Sequence, residues 1–103
     1  MTRIQWTEPS LIDLESIREY IKRDSEYYAI RFIERIIEAV EKIEKFPEMG
    51  RPVPESEETN IRELLFHNYR IMYRVEPDSI LILTIIHGSR DLSQKNPKPW
   101  EII

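Results

Sequence analysis

Two histidines, His67 and His87, and the pair Arg90-Asp91 are the residues of this sequence best suited to acid–base or phosphate chemistry. Beside them stand Arg62, Arg70 and Arg74 on one short stretch, and five tyrosines. An imidazole titrates near neutrality, so either histidine is a candidate general acid or base. A guanidinium holds a phosphate or carboxylate through two parallel N–H bonds. Much else is excluded. The chain has no cysteine, hence no disulfide, no thiolate metal site and no cysteine nucleophile. With only two glycines it has no glycine-rich phosphate loop. The histidines are 20 residues apart, and neither has a second ligand at metal-binding spacing. No metal and no cofactor is expected.

The elements that must position these groups follow from the periodicity. Arg3 to Trp6 alternates as a short strand does. Thr7-Glu8-Pro9-Ser10 then supplies a capping hydroxyl, an acid and a proline at a helix start. Leu11, Leu14, Ile17 and Ile21 share one face of that helix, which ends near Arg23. Asp24-Ser25 caps a second helix, with Ala29, Phe32, Ile33, Ile36, Ile37, Val40, Ile43 and Phe46 along its apolar face. Pro47 and Gly50 stop it. So short a break makes the two helices an antiparallel hairpin. Met49 to Thr59 is expected to be an exposed loop, its glutamates a solvated surface.

After Thr59 the period changes to two. Ile61 to Phe66 is a strand, His67-Asn68 a tight turn, and Tyr69 to Glu76 a second strand. Tyr69, Ile71, Tyr73 and Val75 face one way; Arg70, Met72, Arg74 and Glu76 face the other. A turn over Glu76-Pro77-Asp78-Ser79 leads to Ile80–Ile86, apolar on both faces apart from Thr84 and therefore the best-covered strand. The expected architecture is α+β: a single domain over 1–103 in the order β-α-α-β-β-β, an antiparallel sheet with a helical hairpin packed on one face. A proline-rich tail over 93–103 is expected to be extended.

On this scaffold His67 sits at a hairpin tip, where a solvated turn residue is the plainest reading. His87 ends the covered strand, as a general acid or base or as a structural imidazole. Arg90-Asp91 is either an ion pair closing the sheet edge or a functional arginine. If the helices cover the tyrosine face, Arg70, Met72 and Arg74 line an open groove on the other, suited to an acidic or amphipathic peptide. The composition, 41% hydrophobic with a net charge of −4, supports a core and argues against dominant nucleic-acid binding. No apolar run is long enough for a signal peptide or membrane span, so the chain is expected to be soluble and cytoplasmic, with no membrane partner. The residues alone yield a binding-competent α+β domain.

The block from Arg62 to Val75, Arg62-Glu63-Leu64-Leu65-Phe66-His67-Asn68-Tyr69-Arg70-Ile71-Met72-Tyr73-Arg74-Val75, resembles the central strands of the RelE/ParE toxin superfamily. So do Ile85-Ile86-His87-Gly88-Ser89-Arg90-Asp91-Leu92, the Phe46-Pro47-Glu48-Met49-Gly50-Arg51-Pro52 turn and the Trp6-Thr7-Glu8-Pro9 opening. The resemblance runs from Ile4 to about Leu92. It implies the toxin of a type II toxin-antitoxin system, held in a hetero-oligomer by a cognate antitoxin, with DNA contacted only indirectly through that antitoxin. RelE-like members cut mRNA in the ribosome; ParE-like members bind and poison DNA gyrase.

This sequence departs from the RelE-like pattern. Aligned on Tyr69-Arg70, the basic positions of the preceding strand fall on Ile61, Glu63 and Leu65, and no tyrosine follows Tyr73. A glutamate where a lysine would steady developing phosphate charge removes electrostatic support for cleavage. The resemblance therefore implies a ParE-like gyrase inhibitor, with Arg70, Met72 and Arg74 binding antitoxin and Gly88, Ser89, Arg90 and Trp100 forming the toxic surface. Should the chain be a ribonuclease instead, His87 and Arg90 are its acid–base and phosphate-clamping residues. A non-toxic interaction module of the same fold is the third alternative.

Overall fold

Thr7 shows how locally the fold is written. Its hydroxyl accepts the Ser10 N–H at 3.3 Å and so caps α1 (Glu8–Lys22) directly after β1 (Arg3–Trp6). Ser25 does the same for α2 (Glu26–Lys45), accepting the Tyr28 N–H at 3.1 Å. The computed structural model describes residues 3–93 and 95–101. Beyond the helices come β2 (Arg51–Pro52), β3 (Ile61–Phe66), β4 (Tyr69–Val75), β5 (Ser79–His87) and a 3-10 turn at Pro99–Glu101.

The expected elements and helical hairpin are present, with one short strand, β2, added before the last three, and the sheet has five strands in the order β1-β5-β4-β3-β2. It is mixed where an antiparallel sheet was expected. β3, β4 and β5 form the antiparallel meander, whereas β1 lies parallel to β5, with Arg3 beside Ser79 and Trp6 beside Ile82. The connection that a parallel pair needs is long here, running through α1, α2 and β2 to β4 before the chain reaches β5. β5, flanked on both sides, is the covered strand that its composition requires.

The helices bury Ile17, Phe32, Ile36, Val40 and Ile43 against Ile71, Tyr73, Ile80, Ile82 and Ile85. Each large side chain so buried contributes roughly 1.5–3 kcal/mol before entropy is counted. Three positions of the expected helical faces stay out of this core: Leu11, Ile37 and Phe46 are exposed. Ile37 lies at the margin of the α2 stripe, and Phe46 caps the helix with non-helical backbone, which turns it away. On α1, Ser10 is buried instead, donating its hydroxyl to the Thr7 carbonyl.

β5 carries a bulge. Met72 pairs with Thr84 and Tyr73 with Ile82, so Leu83 has no partner across the ladder. The extra residue changes the alternation: Ile80 and Ile82 face the helices, and after Leu83 so does Ile85, while Ile86 faces away. The polar groups of the bulge are satisfied from the amino terminus. The Thr7 hydroxyl donates to the carbonyls of Ile82 and Leu83, and the Asp13 carboxylate accepts the Ile85 N–H and the Thr84 hydroxyl.

The second face of the sheet has its own core. Val53, Leu92 and Trp100 pack with Ile61, Met72, Leu83 and Ile86. The 49–59 segment is thus not simply an exposed loop, since Arg51–Pro52 pairs with β3 and Val53 is buried. The tail is not extended throughout either. It folds back so that Pro99 and Trp100 are buried, and the Trp100 carbonyl accepts from the Arg74 guanidinium. Residues 94, 102 and 103 of that expected tail lie outside the described residues.

Candidate functional site

On the second face, the two-residue turn at His67-Asn68 fixes the register so that Leu65 opposes Arg70, Glu63 opposes Met72 and Ile61 opposes Arg74. Alternation puts all six on the side away from the helices. Glu63 is then diagonal to Arg70, within reach of a long side chain. The Glu63 carboxylate, with no exposed side-chain surface, accepts Arg70 Nε–H at Oε1 (2.7 Å) and Arg51 Nε–H at Oε2 (2.7 Å). Arg70 reaches further: Nη2 and Nη1 donate to the two oxygens of Glu55 at 2.7 and 3.0 Å. Four charges of alternating sign, Arg51-Glu63-Arg70-Glu55, tie β2, β3, β4 and the loop between β2 and β3 together. Arg70 holds the Glu55 carboxyl below its ordinary range, and Glu55, with Glu63, holds Arg70 firmly protonated.

This overturns the expected open groove. Met72 is fully buried under the chain's own Val53, Leu92 and Trp100. Arg70 is buried and neutralised, and Arg74 is bonded to the tail. The physical reason is that a face carrying Ile61, Met72, Leu83 and Ile86 is too apolar to remain in water. Glu55, expected to be solvated, is drawn into the network by Arg70.

Beyond the network, at the end of the sheet, lies a cleft of about 470 Å³. Arg70 and Leu65 line it together with Arg51 and Glu55, and the rim includes His67, His87 and Ser89. His67 is held at φ 52°, in the left-handed region, and its ring lies against Phe66 at 4.6 Å between centroids. His87 lies edge-on to Tyr69, 5.6 Å between centroids, and its Nδ1 accepts the Ser89 N–H at 3.2 Å. That bond assigns the proton of a neutral ring to Nε2. Gly88 donates its N–H to the Asn68 carbonyl at 2.6 Å, joining the two turns that frame the cleft. Burial pushes the Tyr69 phenol up. The arrangement offers guanidinium and imidazole groups to an anion, with the central guanidinium already carrying carboxylates.

The structure separates residues that were expected to act together. Arg90 does not line this cleft; it borders a smaller one of about 230 Å³ with Ile12, Asp13, Lys95 and Pro99. His87 and Arg90 therefore do not converge on one site. Nor does Asp91 close an ion pair with Arg90: it accepts the Ser93 N–H at 2.9 Å, which lowers its pKa. Gly88, Ser89 and Arg90 are exposed, whereas Trp100, assigned to the toxic surface, is turned inward onto the sheet. Among the described residues no group of three or more His, Asp or Glu side chains is placed to hold a metal ion, and no helix is long and apolar enough to cross a membrane.

Residues 4–92 match the family described as the ParE toxin of type II toxin-antitoxin system, parDE. The chain belongs to the RelE/ParE toxin superfamily. Within it, this toxin is 35% identical over 94 residues to the putative toxin Y4kP of Sinorhizobium fredii, covering 89% of this chain and 94% of that one. It is 33% identical over 91 residues to toxin RelE2 of Caulobacter vibrioides, covering 87% and 99%. Among solved structures, the chromosomal ParDE system of P. aeruginosa superposes with a TM-score of 0.71 at 26% identity, covering 84% of this toxin and 96% of that chain. The RelBE2 toxin-antitoxin complex of Mycobacterium tuberculosis shares the fold, with a TM-score of 0.62 at 19% identity over 84% of this toxin and 96% of that chain. Both of these neighbours are toxin-antitoxin systems. Names from both branches occur among these relatives, so the choice of branch rests on the site.

Proposed function

We propose that this toxin is ParE-like: it inhibits DNA gyrase by binding it, does no chemistry of its own, and is neutralised in the cytoplasm by a cognate antitoxin in a hetero-oligomer. DNA is reached only through the antitoxin. The observation that carries this reading is the Glu63 carboxylate held between Arg70 and Arg51. Cleaving RNA requires cations free to take up charge as it develops on phosphate. Here the central arginine of the sheet is neutralised by Glu63 and Glu55, and the neighbouring strand positions are Ile61 and Leu65. The exposed Gly88-Ser89-Arg90 turn forms the target-facing surface. Arg70 remains the point of antitoxin recognition, with Met72 and Arg74 beneath it under the folded-back tail.

A ribonuclease is the second reading, favoured by the two imidazoles on one cleft with Ser89. Inducing the toxin without antitoxin separates the two. The binding reading expects filamentation and trapped gyrase–DNA cleavage complexes, unchanged in His87→Ala. Prompt mRNA cleavage within ribosomes, abolished by His87→Ala, would sink it.

A further inference from the structure

Glu55 sits on Arg70 as a ligand would. Both of its oxygens are engaged, one by each terminal nitrogen, in the fork-on-fork geometry by which arginine recognises a carboxylate. The other side of the guanidinium is committed to Glu63 through Nε and Nη2. One half of Arg70 is thus structural, and the other half could exchange its partner without leaving a buried cation unpaired.

The segment that carries Glu55 is lightly held. Val53 is anchored in the core, and Asn60 exchanges hydrogen bonds with Val75. Between Pro54 and Glu57, among the described residues, the Glu55–Arg70 pair is the one hydrogen-bonded tie to the sheet. Glu55 is also the single carboxylate lining a cleft that otherwise presents Arg51, Arg70, His67 and His87. Leu65, half of its surface in water, lies alongside.

We propose that Glu55 is a placeholder for a carboxylate of the antitoxin, and that an Asp or Glu side chain of the bound antitoxin displaces it from Arg70. This inference rests on the antitoxin reading above and names the contact that reading needs. Charge and shape select a peptide segment: one carboxylate replaces another on a fork already set for it, and an adjacent apolar side chain settles on Leu65. A nucleic-acid strand fits less well, because every nucleotide would carry its phosphate past Glu55, Glu57 and Glu58 on a chain of net charge −4. While Glu55 occupies the fork, the binding-competent form is a minor fraction, and the observed affinity is reduced by that fraction.

The test uses the full chain and its cognate antitoxin, in a binding titration. Glu55→Gln keeps the Arg70–Glu63 pair, so its fold is checked by circular dichroism, and it should bind about tenfold more tightly than the wild type. Scanning the antitoxin's Asp and Glu residues to amides should reveal one position whose loss abolishes that gain. Equal affinity of the two toxin forms, or no antitoxin carboxylate that matters, overturns the placeholder while leaving the antitoxin reading intact. Glu55→Gln gaining affinity for a short single-stranded RNA, and not for the antitoxin, overturns it in favour of nucleic acid. No antitoxin binding by either form overturns both readings.

Discussion

The carboxylate of Glu63, without exposed side-chain surface, accepts the Nε–H of Arg70 at 2.7 Å, seven residues away along the hairpin. A carboxylate at that depth is tolerated because both its oxygens are taken by guanidinium groups. Glu63→Gln breaks the ion pair with Arg51 and leaves Arg70 to its remaining partner Glu55, so it should lower the unfolding free energy by about 1–3 kcal/mol, a sizeable share of the roughly 5–15 kcal/mol available to a domain. Glu63→Lys should prevent folding, since it sets a third cation between Arg51 and Arg70. Urea denaturation followed by circular dichroism measures the first, and soluble expression reports the second.

Gly50 and Tyr73 form the second critical contact. The Tyr73 hydroxyl donates to the Pro47 carbonyl at 2.7 Å and accepts the Gly50 N–H at 3.0 Å, pinning the chain where α2 gives way to β2. A methyl group on Gly50 would lie 2.5 Å from that hydroxyl and 2.6 Å from the Glu63 carbonyl oxygen. The backbone oxygen cannot yield, so Gly50→Ala should destabilise by about 1–3 kcal/mol. Tyr73→Phe, which strands a buried N–H and a carbonyl, should fall in a similar range of about 1–3 kcal/mol. Chemical denaturation of both variants checks this; a neutral Gly50→Ala would show that the turn moves freely.

Acid should weaken the hold of the 53–60 loop in a defined direction. The hydrogen bond from Arg70 keeps the Glu55 carboxyl below its ordinary value of 4.5. A group whose pKa is depressed on folding stabilises the fold above the unfolded value, and that contribution fades as the pH falls through the folded one. The difference in melting temperature between wild type and Glu55→Gln should be full above pH 4.5 and close as acid is added below it. A difference that persists in stronger acid would count against the ion pair as its source.

Trp100 is predicted to behave as a core residue. Its indole lies among Val53, Met72 and Leu83, so Trp100→Ala should cost about 3–5 kcal/mol, while Trp100→Phe should retain both fold and toxicity. Growth arrest on induction, measured alongside thermal melts, separates this from a contact with the target. Loss of toxicity in a fully folded Trp100→Phe would return the residue to the toxic surface.

Much of this was legible in the sequence, for reasons visible in particular residues. The helix caps Thr7 and Ser25, the stripe from Ala29 to Ile43, and the tyrosine face of β4 each report a local geometry that the adjoining residues determine. What was not legible depends on residues far apart. Nothing in Arg3–Trp6 names β5 as its neighbour, and the apolar run through Leu83 hides its bulge. Glu55 looked solvated because its partner is 15 residues away. One signal was available: a two-residue turn at His67-Asn68 fixes the hairpin register, and that register alone places Glu63 diagonal to Arg70. The inward tail followed equally from an apolar second face that needed cover.

The bulge at Leu83 has a consequence for how the molecule keeps its two faces distinct. From Ile80 to Ile86 the residues give almost no polar mark to tell one side from the other, so the strand by itself does not know its own phase. Were it regular, Ile85 and Ile86 would trade sides, and His87 would change sides with Ile85. Thr7 and Asp13, more than 70 residues earlier, grip the carbonyls and N–H on either side of the extra residue and settle the choice. The first turns of α1 thus act as a reading head for a distant strand, and the orientation of the His87-Gly88-Ser89 turn is decided at the opposite end of the chain.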